Sequence, residues 1–279
     1  SAFKILAETK KLENEGKEII HLSLGQPDFK TPKHIVDAAK KALDDGHHGY
    51  VLPNGIIECR KAVTRKIKKL YNADIDPERV IIMPGGKPTM YYAIQMIGEP
   101  GAEIVHPTPG FPIYESMINF VKGKAVACPL REVNGFALDP QDLISRITPK
   151  TKMVILNSPA NPTGGVTERA ELEAVLKVLK GYPDIWILSD EIYARMLYDG
   201  IEHVSPMQDP EMFDADPATF RGVSMDDSKV DDASPFQKCI LVALDRLYTK
   251  KYRRRLFKSL VTITDKKFAL KLFSAAAKE

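Results

Sequence analysis

Apolar and polar residues alternate with two different spacings along the first three quarters of the chain. Helical spacing, with an apolar side chain every three or four positions, predicts helices over residues 3–17, 32–43, 88–97, 112–121, 139–146 and 167–180. Short continuous apolar runs bounded by glycine and proline predict strands over residues 19–24, 80–83, 103–105, 125–127, 153–156 and 185–188. The two kinds of segment follow each other in turn.

Alternation of strands and helices indicates an α/β fold. Strands that are apolar along their whole length are typical of a mostly parallel sheet with helices on both faces, because both sides of each strand are then buried. Ligands of such sheets bind at the carboxyl ends of the strands. The loops that follow the apolar runs are therefore where we expect the chemistry.

The composition adds limits rather than a function. The chain has 279 residues, of which 44% are hydrophobic and 28% charged, as in ordinary globular proteins. The three cysteines, Cys59, Cys128 and Cys239, form no CxxC pair, which favours a reducing compartment, the cytoplasm or an organelle matrix. No apolar run reaches the length of a membrane span, and the six scattered histidines have no metal-ligand spacing, so we expect no metal site.

Charge divides the chain into three parts. Residues 207–236 carry eight acidic and two basic side chains, whereas residues 237–279 carry twelve basic and three acidic ones. We therefore expect a large domain over residues 1–206, an acidic linker, and a basic C-terminal segment with helical apolar spacing. That segment has three interpretations: a helix packed on the large domain, a surface for RNA or acidic lipid, or a docking helix for a larger assembly. No RNA-binding motif accompanies its charge, which disfavours nucleic acid.

Two polar segments directly follow apolar runs. Residues 157–164 read Asn-Ser-Pro-Ala-Asn-Pro-Thr-Gly, and residues 188–193 read Leu-Ser-Asp-Glu-Ile-Tyr. Taken alone, the first is most simply a polar loop. The second places the Asp190 carboxylate at the end of a buried strand, where a charge needs a partner: either a basic side chain or a protonated ring nitrogen of a ligand.

Together these segments resemble the class I/II aminotransferases, the fold-type I enzymes that use pyridoxal 5'-phosphate (PLP). Further segments of the same family pattern occur in the family's order: Leu24–Phe29, Gly49–Gly55, Pro84–Thr89 and Pro107–Tyr114. The resemblance covers about residues 1–206. It implies a sheet of the seven-stranded type, with or without its last strands, and a PLP-dependent transfer of an amino group between an amino acid and a 2-oxo acid.

The resemblance also implies roles for individual residues around the cofactor ring. Asp190 would pair with the pyridine nitrogen of PLP and keep it protonated, so that the ring can accept electrons. Asn161 and Tyr193 would hydrogen-bond the phenolic oxygen. Phe111 would stack on the ring face, a contact worth about 1 kcal/mol beyond its burial.

The phosphate, the substrate and the partner subunit involve other positions. Backbone amides near Gly86 and Lys87, at a helix start, would receive the phosphate, although Pro88 has no N–H to donate. Tyr50 would reach the phosphate of a neighbouring subunit in a homodimer. Gly25 would lie near the substrate carboxylate.

The family's covalent lysine has one candidate in the acidic part of the chain. Lys229, thirty-nine positions after Asp190, is the candidate for the imine with PLP. Its flanks are acidic, and neither the apolar strand nor the arginine stretch of the family accompanies it, so the alternative is a solvated lysine. Two functions stay open: an active aminotransferase, and a catalytically silent homologue that serves as a structural or binding subunit.

Overall fold

The computed structural model describes residues 2–21, 25, 29–182 and 184–209. These fall into two units, residues 1–51 and the chain from Leu52 onward. The first unit contains helices α1 (Ala2–Asn14) and α2 (Lys33–Asp44), which confirms the two predicted helices. Ile19–His21 of the predicted first strand form no strand, and the rest of that prediction lies outside the described residues.

The second unit is built on a parallel sheet. The described part of the chain contains four strands, in the order β2-β1-β3-β4. They are β1 (Glu103–Thr108), β2 (Lys124–Pro129), β3 (Thr151–Asn157) and β4 (Trp186–Asp190). Five helices accompany them: α3 (Ile57–Tyr71), α4 (Gly86–Ile97), α5 (Ile113–Phe120), α6 (Pro140–Ile144) and α7 (Arg169–Leu179). None of the helices described is long and apolar enough to cross a membrane.

Both faces of β3 are buried, as its apolar run predicts. On β3, Met153 and Ile155 pack against the apolar sides of α4 and α5. Val154 and Leu156, which alternate with them, belong to the cluster formed with α6 and α7. Side chains of a strand point to opposite faces in turn, so a strand covered on both sides is apolar throughout.

Two elements of the second unit differ from the expectations. The predicted strand over Val80–Met83 is wrong: the segment is not a strand, and its Ile82 N–H donates to the carbonyl of Asn54, a loop residue, at 3.1 Å. Helix α3 was not predicted. It buries Arg60, whose guanidinium donates to the carbonyl oxygens of Gly55 and Pro77. An apolar run becomes a strand only where another strand pairs with it, and that pairing is not local.

The strand order creates a crevice between β1 and β3. From β1 the chain moves to β2 on one side and then returns to β3 on the other side of β1. At such a reversal the connections leave the sheet in opposite directions, which opens a space at the carboxyl ends of the strands. The polar segments that follow β3 and β4 lie at this edge.

Candidate active site

Asp190 is the last residue of β4, and two donors fix its carboxylate. The hydroxyl of Tyr114, on α5, donates to Oδ2 at 2.6 Å, and the backbone N–H of Ile192 donates to Oδ1 at 3.3 Å. Tyr114 has no exposed surface. Burial, and next the hydrogen bond to Asp190, raise the pKa of Tyr114, so its hydroxyl stays protonated and remains a donor.

Asn157 ties the ends of β3 and β4 together. It lies opposite Asp190 in the sheet, and its Nδ2 donates to the Asp190 carbonyl at 3.0 Å. Its Oδ1 accepts the backbone N–H of Asn161 at 2.9 Å. The side-chain amide of Asn161 in turn donates to the Tyr193 hydroxyl at 3.4 Å. The loop after β3 and the segment after β4 are therefore held side by side, with Asn161 and Tyr193 in contact.

The N-terminus of α4 lies beside the same segment. Gly85 precedes the helix with a φ of 100°, a conformation in the left-handed half of backbone space that favours glycine. A β-carbon placed on Gly86 would lie 3.8 Å from Cδ1 of Ile192, two residues after Asp190. The first N–H groups of a helix have no partner within it, so this end of α4 can receive an anion. The missing N–H of Pro88 belongs to this first turn and costs the helix no bond.

Phe111 completes the arrangement. Its ring centroid is 5.9 Å from that of Tyr114, with an angle of 81° between the two planes. Phe111 is only partly buried, whereas Tyr114, which bonds Asp190, is fully buried. An apolar ring thus borders the carboxylate site.

The structure brings together most, but not all, of the predicted residues. Asp190, Asn161, Tyr193, Phe111 and Gly86 are linked by the contacts above. Lys87 is exposed in the first turn of α4. Gly25 and Tyr50 belong to the first unit, and Lys229 lies outside the described residues, so their roles stay predictions. Among the described residues no cluster of His, Cys, Asp and Glu could hold a metal ion, and His47 and His48 are exposed after α2.

Sequence reasoning gave no role to Tyr114 or Asn157. Both stand inside the segments that carry the resemblance, but their partners come from other strands and helices. The available signal for Tyr114 was its place at the end of the Pro107–Tyr114 segment, which carries the resemblance and also contains Phe111.

A parallel sheet with a carboxylate, an amide–hydroxyl pair and a helix N-terminus at its carboxyl edge defines an α/β protein with a candidate ligand site at that edge. Comparisons with known proteins agree with this class. The family model for aminotransferase class I and II matches residues 17–220, so the chain belongs to that family.

Named relatives support the same membership. The aspartate aminotransferase of Bacillus subtilis (strain 168) is 36% identical over 220 residues, which are 79% of this chain and 56% of the relative. The solved aspartate aminotransferase of Rhizobium meliloti has a TM-score of 0.71 at 33% identity, over 75% of this chain and 52% of the other. The alanine aminotransferase of Pyrococcus furiosus has a TM-score of 0.70 at 32% identity, over 74% and 53%. The chain spans about half the length of the curated relatives it matches.

Proposed function

We propose that this protein is a PLP-dependent aminotransferase that moves an amino group between an amino acid and a 2-oxo acid. The observation that carries the proposal is the Asp190 carboxylate. It is held at the end of β4 by Tyr114, at the same edge as the Asn161–Tyr193 pair and the N-terminus of α4.

The carboxylate of Asp190 suits a protonated ring nitrogen. Each of its oxygens accepts one hydrogen bond from the protein, and each can accept another. Asp190 is partly exposed, so a ligand can reach it. A fixed carboxylate next to a buried tyrosine would favour the charged form of a pyridine ring placed against it.

The remaining groups suit the rest of the cofactor. The amide of Asn161 and the hydroxyl of Tyr193 supply donors for the phenolic oxygen. Phe111 supplies an apolar surface for a ring face, and the first turn of α4, with Lys87, supplies N–H groups and charge for the phosphate. This set of donors, aromatic surface and anion site fits PLP.

PLP supplies an electron sink for cleavage of bonds at the substrate's α-carbon. In this chain Asp190 would keep the ring nitrogen charged, and Asn161 and Tyr193 would fix the ring's orientation. Lys229 is the residue that we propose to hold the cofactor covalently and to move the proton. Gly25 would border the substrate carboxylate, and Tyr50 would reach the phosphate of a second subunit in a homodimer.

Titration of the purified full chain with PLP tests the cofactor site. We expect a visible absorbance band that borohydride reduction fixes to a lysine, with peptide mapping to identify that lysine. Asp190→Asn should weaken PLP binding at least about tenfold, since it removes the charge that favours the protonated ring. Asp44→Asn, at an exposed position of α2, is the matched control.

Turnover is a separate measurement. A panel of amino acids with 2-oxoglutarate or oxaloacetate should give transfer of the amino group. Binding of PLP without any transfer would support the silent homologue instead. Failure of the wild-type chain to bind PLP would contradict the proposal as a whole.

A further inference from the structure

A second polar cluster lies directly behind Asp190 and centres on Glu191. Three hydroxyls donate to this carboxylate: Ser189 and Ser205 to Oε1, at 2.9 and 2.7 Å, and Tyr71 to Oε2 at 3.2 Å. The Glu191 side chain is 15% exposed. A mostly buried carboxylate with three donors is a firmly held group.

His203 is the basic side chain of the cluster, and it is only 6% exposed. Its Nε2 lies 3.0 Å from the Ser158 carbonyl oxygen, which can only accept, so Nε2 carries a proton. Its Nδ1 lies 3.0 Å from the Tyr71 hydroxyl. His203 therefore joins the loop after β3 to helix α3.

The single proton of the Tyr71 hydroxyl links the hydrogen bonding of Glu191 to that of His203. The Tyr71 hydroxyl has one proton, and it cannot be given both to Glu191 and to Nδ1. Burial, and next the charge of Glu191, raise the pKa of Tyr71, so this hydroxyl keeps its proton where histidine titrates. With protons on both ring nitrogens of His203, every contact is satisfied. With a neutral ring, Tyr71 turns to Nδ1 and Glu191 loses one of its donors.

The cluster touches both loops of the proposed cofactor site. Ser189 and Glu191 point to the side of β4 opposite Asp190, because successive side chains of an extended chain alternate. Ser158 stands between Asn157 and Asn161, and its Oγ accepts the backbone N–H of Thr167 at 2.9 Å. Movement of the His203 ring would thus reach the backbone of both segments.

Among the described residues, the charges that act on Tyr71 are those of Glu191 and Arg195. Glu191 contributes one negative charge, and Arg195 lies close enough to act on Tyr71. The Glu191 Oε2 and the His203 Nδ1 are 4.0 Å apart. The adjoining cavity, lined by Ser158, Ser189 and His203, has a volume of about 20 Å³, room for one water molecule and no larger ligand.

We propose that Tyr71, Glu191 and His203 are positioning residues, and that the doubly protonated ring of His203 holds the loops of Asp190 and Asn161 in the geometry that binds the cofactor. The consequence for PLP rests on the proposed function. Loss of the second His203 proton frees one donor of Glu191 and loosens both loops.

Nuclear magnetic resonance of the ¹⁵N-labelled full chain without cofactor tests the network itself. The ¹⁵N signals of the His203 ring show whether one or both ring nitrogens carry a proton, and they are followed over the range in which histidine side chains generally change charge, about pH 5 to 8. We expect the backbone amide signals of Asp190 and Asn161 to shift with the same midpoint. Amide signals that stay constant through that midpoint would overturn the proposal, whether or not the protein binds PLP.

The PLP dissociation constant, measured over the same pH range, tests the consequence. PLP itself also changes its protonation with pH. The informative quantity is therefore the ratio of the PLP dissociation constants of Tyr71→Phe and wild type, since Tyr71→Phe lacks the bridging hydroxyl. Wild type should bind about tenfold more tightly while His203 is charged, and the ratio should fall towards one above its midpoint. Tyr182→Phe, at an exposed tyrosine that follows α7 and lies outside the proposed site, is the matched control and should follow wild type.

A second variant separates positioning from simple loss of structure. His203→Gln removes the titration but keeps an N–H donor for Ser158, so its affinity ratio to Tyr71→Phe should not depend on pH. Equal pH dependence of wild type, Tyr71→Phe and His203→Gln would overturn the proposal. Absence of PLP binding by all of them would instead contradict the proposed function, and the amide titration would still decide on the network.

Discussion

At the scale of single residues, the Tyr114 hydroxyl sets the direction of the Asp190 carboxylate. Tyr114→Phe leaves that oxygen without its 2.6 Å donor. We expect the free energy of unfolding to fall by about 1–3 kcal/mol, since the lost bond is to a charged group. Urea denaturation measures the change. Tyr198 is 72% exposed, so Tyr198→Phe should change the free energy of unfolding little. An equal loss in both variants would contradict the role of the Tyr114 hydroxyl.

The same tyrosine predicts a dependence on pH. Its pKa is raised in the folded chain, so the folded state binds the hydroxyl proton more tightly than the unfolded state. The stability it contributes is fully present below about pH 10, where unfolded tyrosine ionises, and is lost as the pH rises further. The difference between wild type and Tyr114→Phe should narrow above that pH. A difference in the free energy of unfolding that widens above pH 10 would contradict the raised pKa of Tyr114.

Two cysteines should differ in reactivity. Cys59 is exposed on α3, whereas Cys128 is 1% exposed, and burial raises the pKa of its thiol to about 11. Only the thiolate reacts, so a thiol reagent near pH 8 should label Cys59 first and leave Cys128 protected in the native protein. Peptide mapping separates the two sites, and both should react in denaturant. Labelling of native Cys128 as fast as Cys59 would contradict its burial.

At the scale of elements, two neighbouring glycines at the start of α4 should respond differently to substitution by alanine. Gly85 has a φ of 100°, so Gly85→Ala should destabilise the chain by about 1 kcal/mol or more. Gly86 is the first helical residue, and a β-carbon there makes only an ordinary contact with Ile192. Gly86→Ala should therefore leave the free energy of unfolding nearly unchanged or raised. Thermal unfolding of the pair measures this, and equal losses would contradict it.

At the scale of the whole molecule, cofactor binding should stabilise the fold. A ligand that binds only the folded state adds about 2.7 kcal/mol at a concentration one hundred times its dissociation constant. PLP should therefore raise the unfolding temperature of wild type and do so much less for Asp190→Asn. Pyridoxal, which lacks the phosphate, is the matched control for the proposed phosphate site at the N-terminus of α4. A temperature that PLP leaves unchanged would argue against the site.

The sequence alone predicts those elements whose signals are local. The run over residues 153–156 is buried from both faces, and the segment 167–180 carries helical spacing; the structure has β3 and α7 there. The run over Val80–Met83 has the same local pattern and is no strand, because its neighbour in space is the loop residue Asn54. Periodicity reports burial, and burial alone does not choose a partner.

The residues of the candidate site likewise fall into those that the sequence identified and those that only the structure identified. The order of its segments along the chain singles out Asp190, Asn161, Tyr193 and Phe111, because these stand in family motifs at strand ends. The donor to Asp190 comes from seventy-six positions earlier in the chain, and the tyrosine that reaches Glu191 from one hundred and twenty. No local pattern encodes such pairs.

By itself, the sequence therefore determined the α/β class, most strands and helices, the edge of the sheet at which the polar segments meet, and the family. Only the tertiary structure decided that Tyr114 orients Asp190, that Asn157 joins the ends of β3 and β4, and that the Tyr71 hydroxyl lies between Glu191 and His203 behind the site. The reason is physical. Burial and helical spacing are properties of consecutive residues, whereas a hydrogen bond depends on where two distant segments pack.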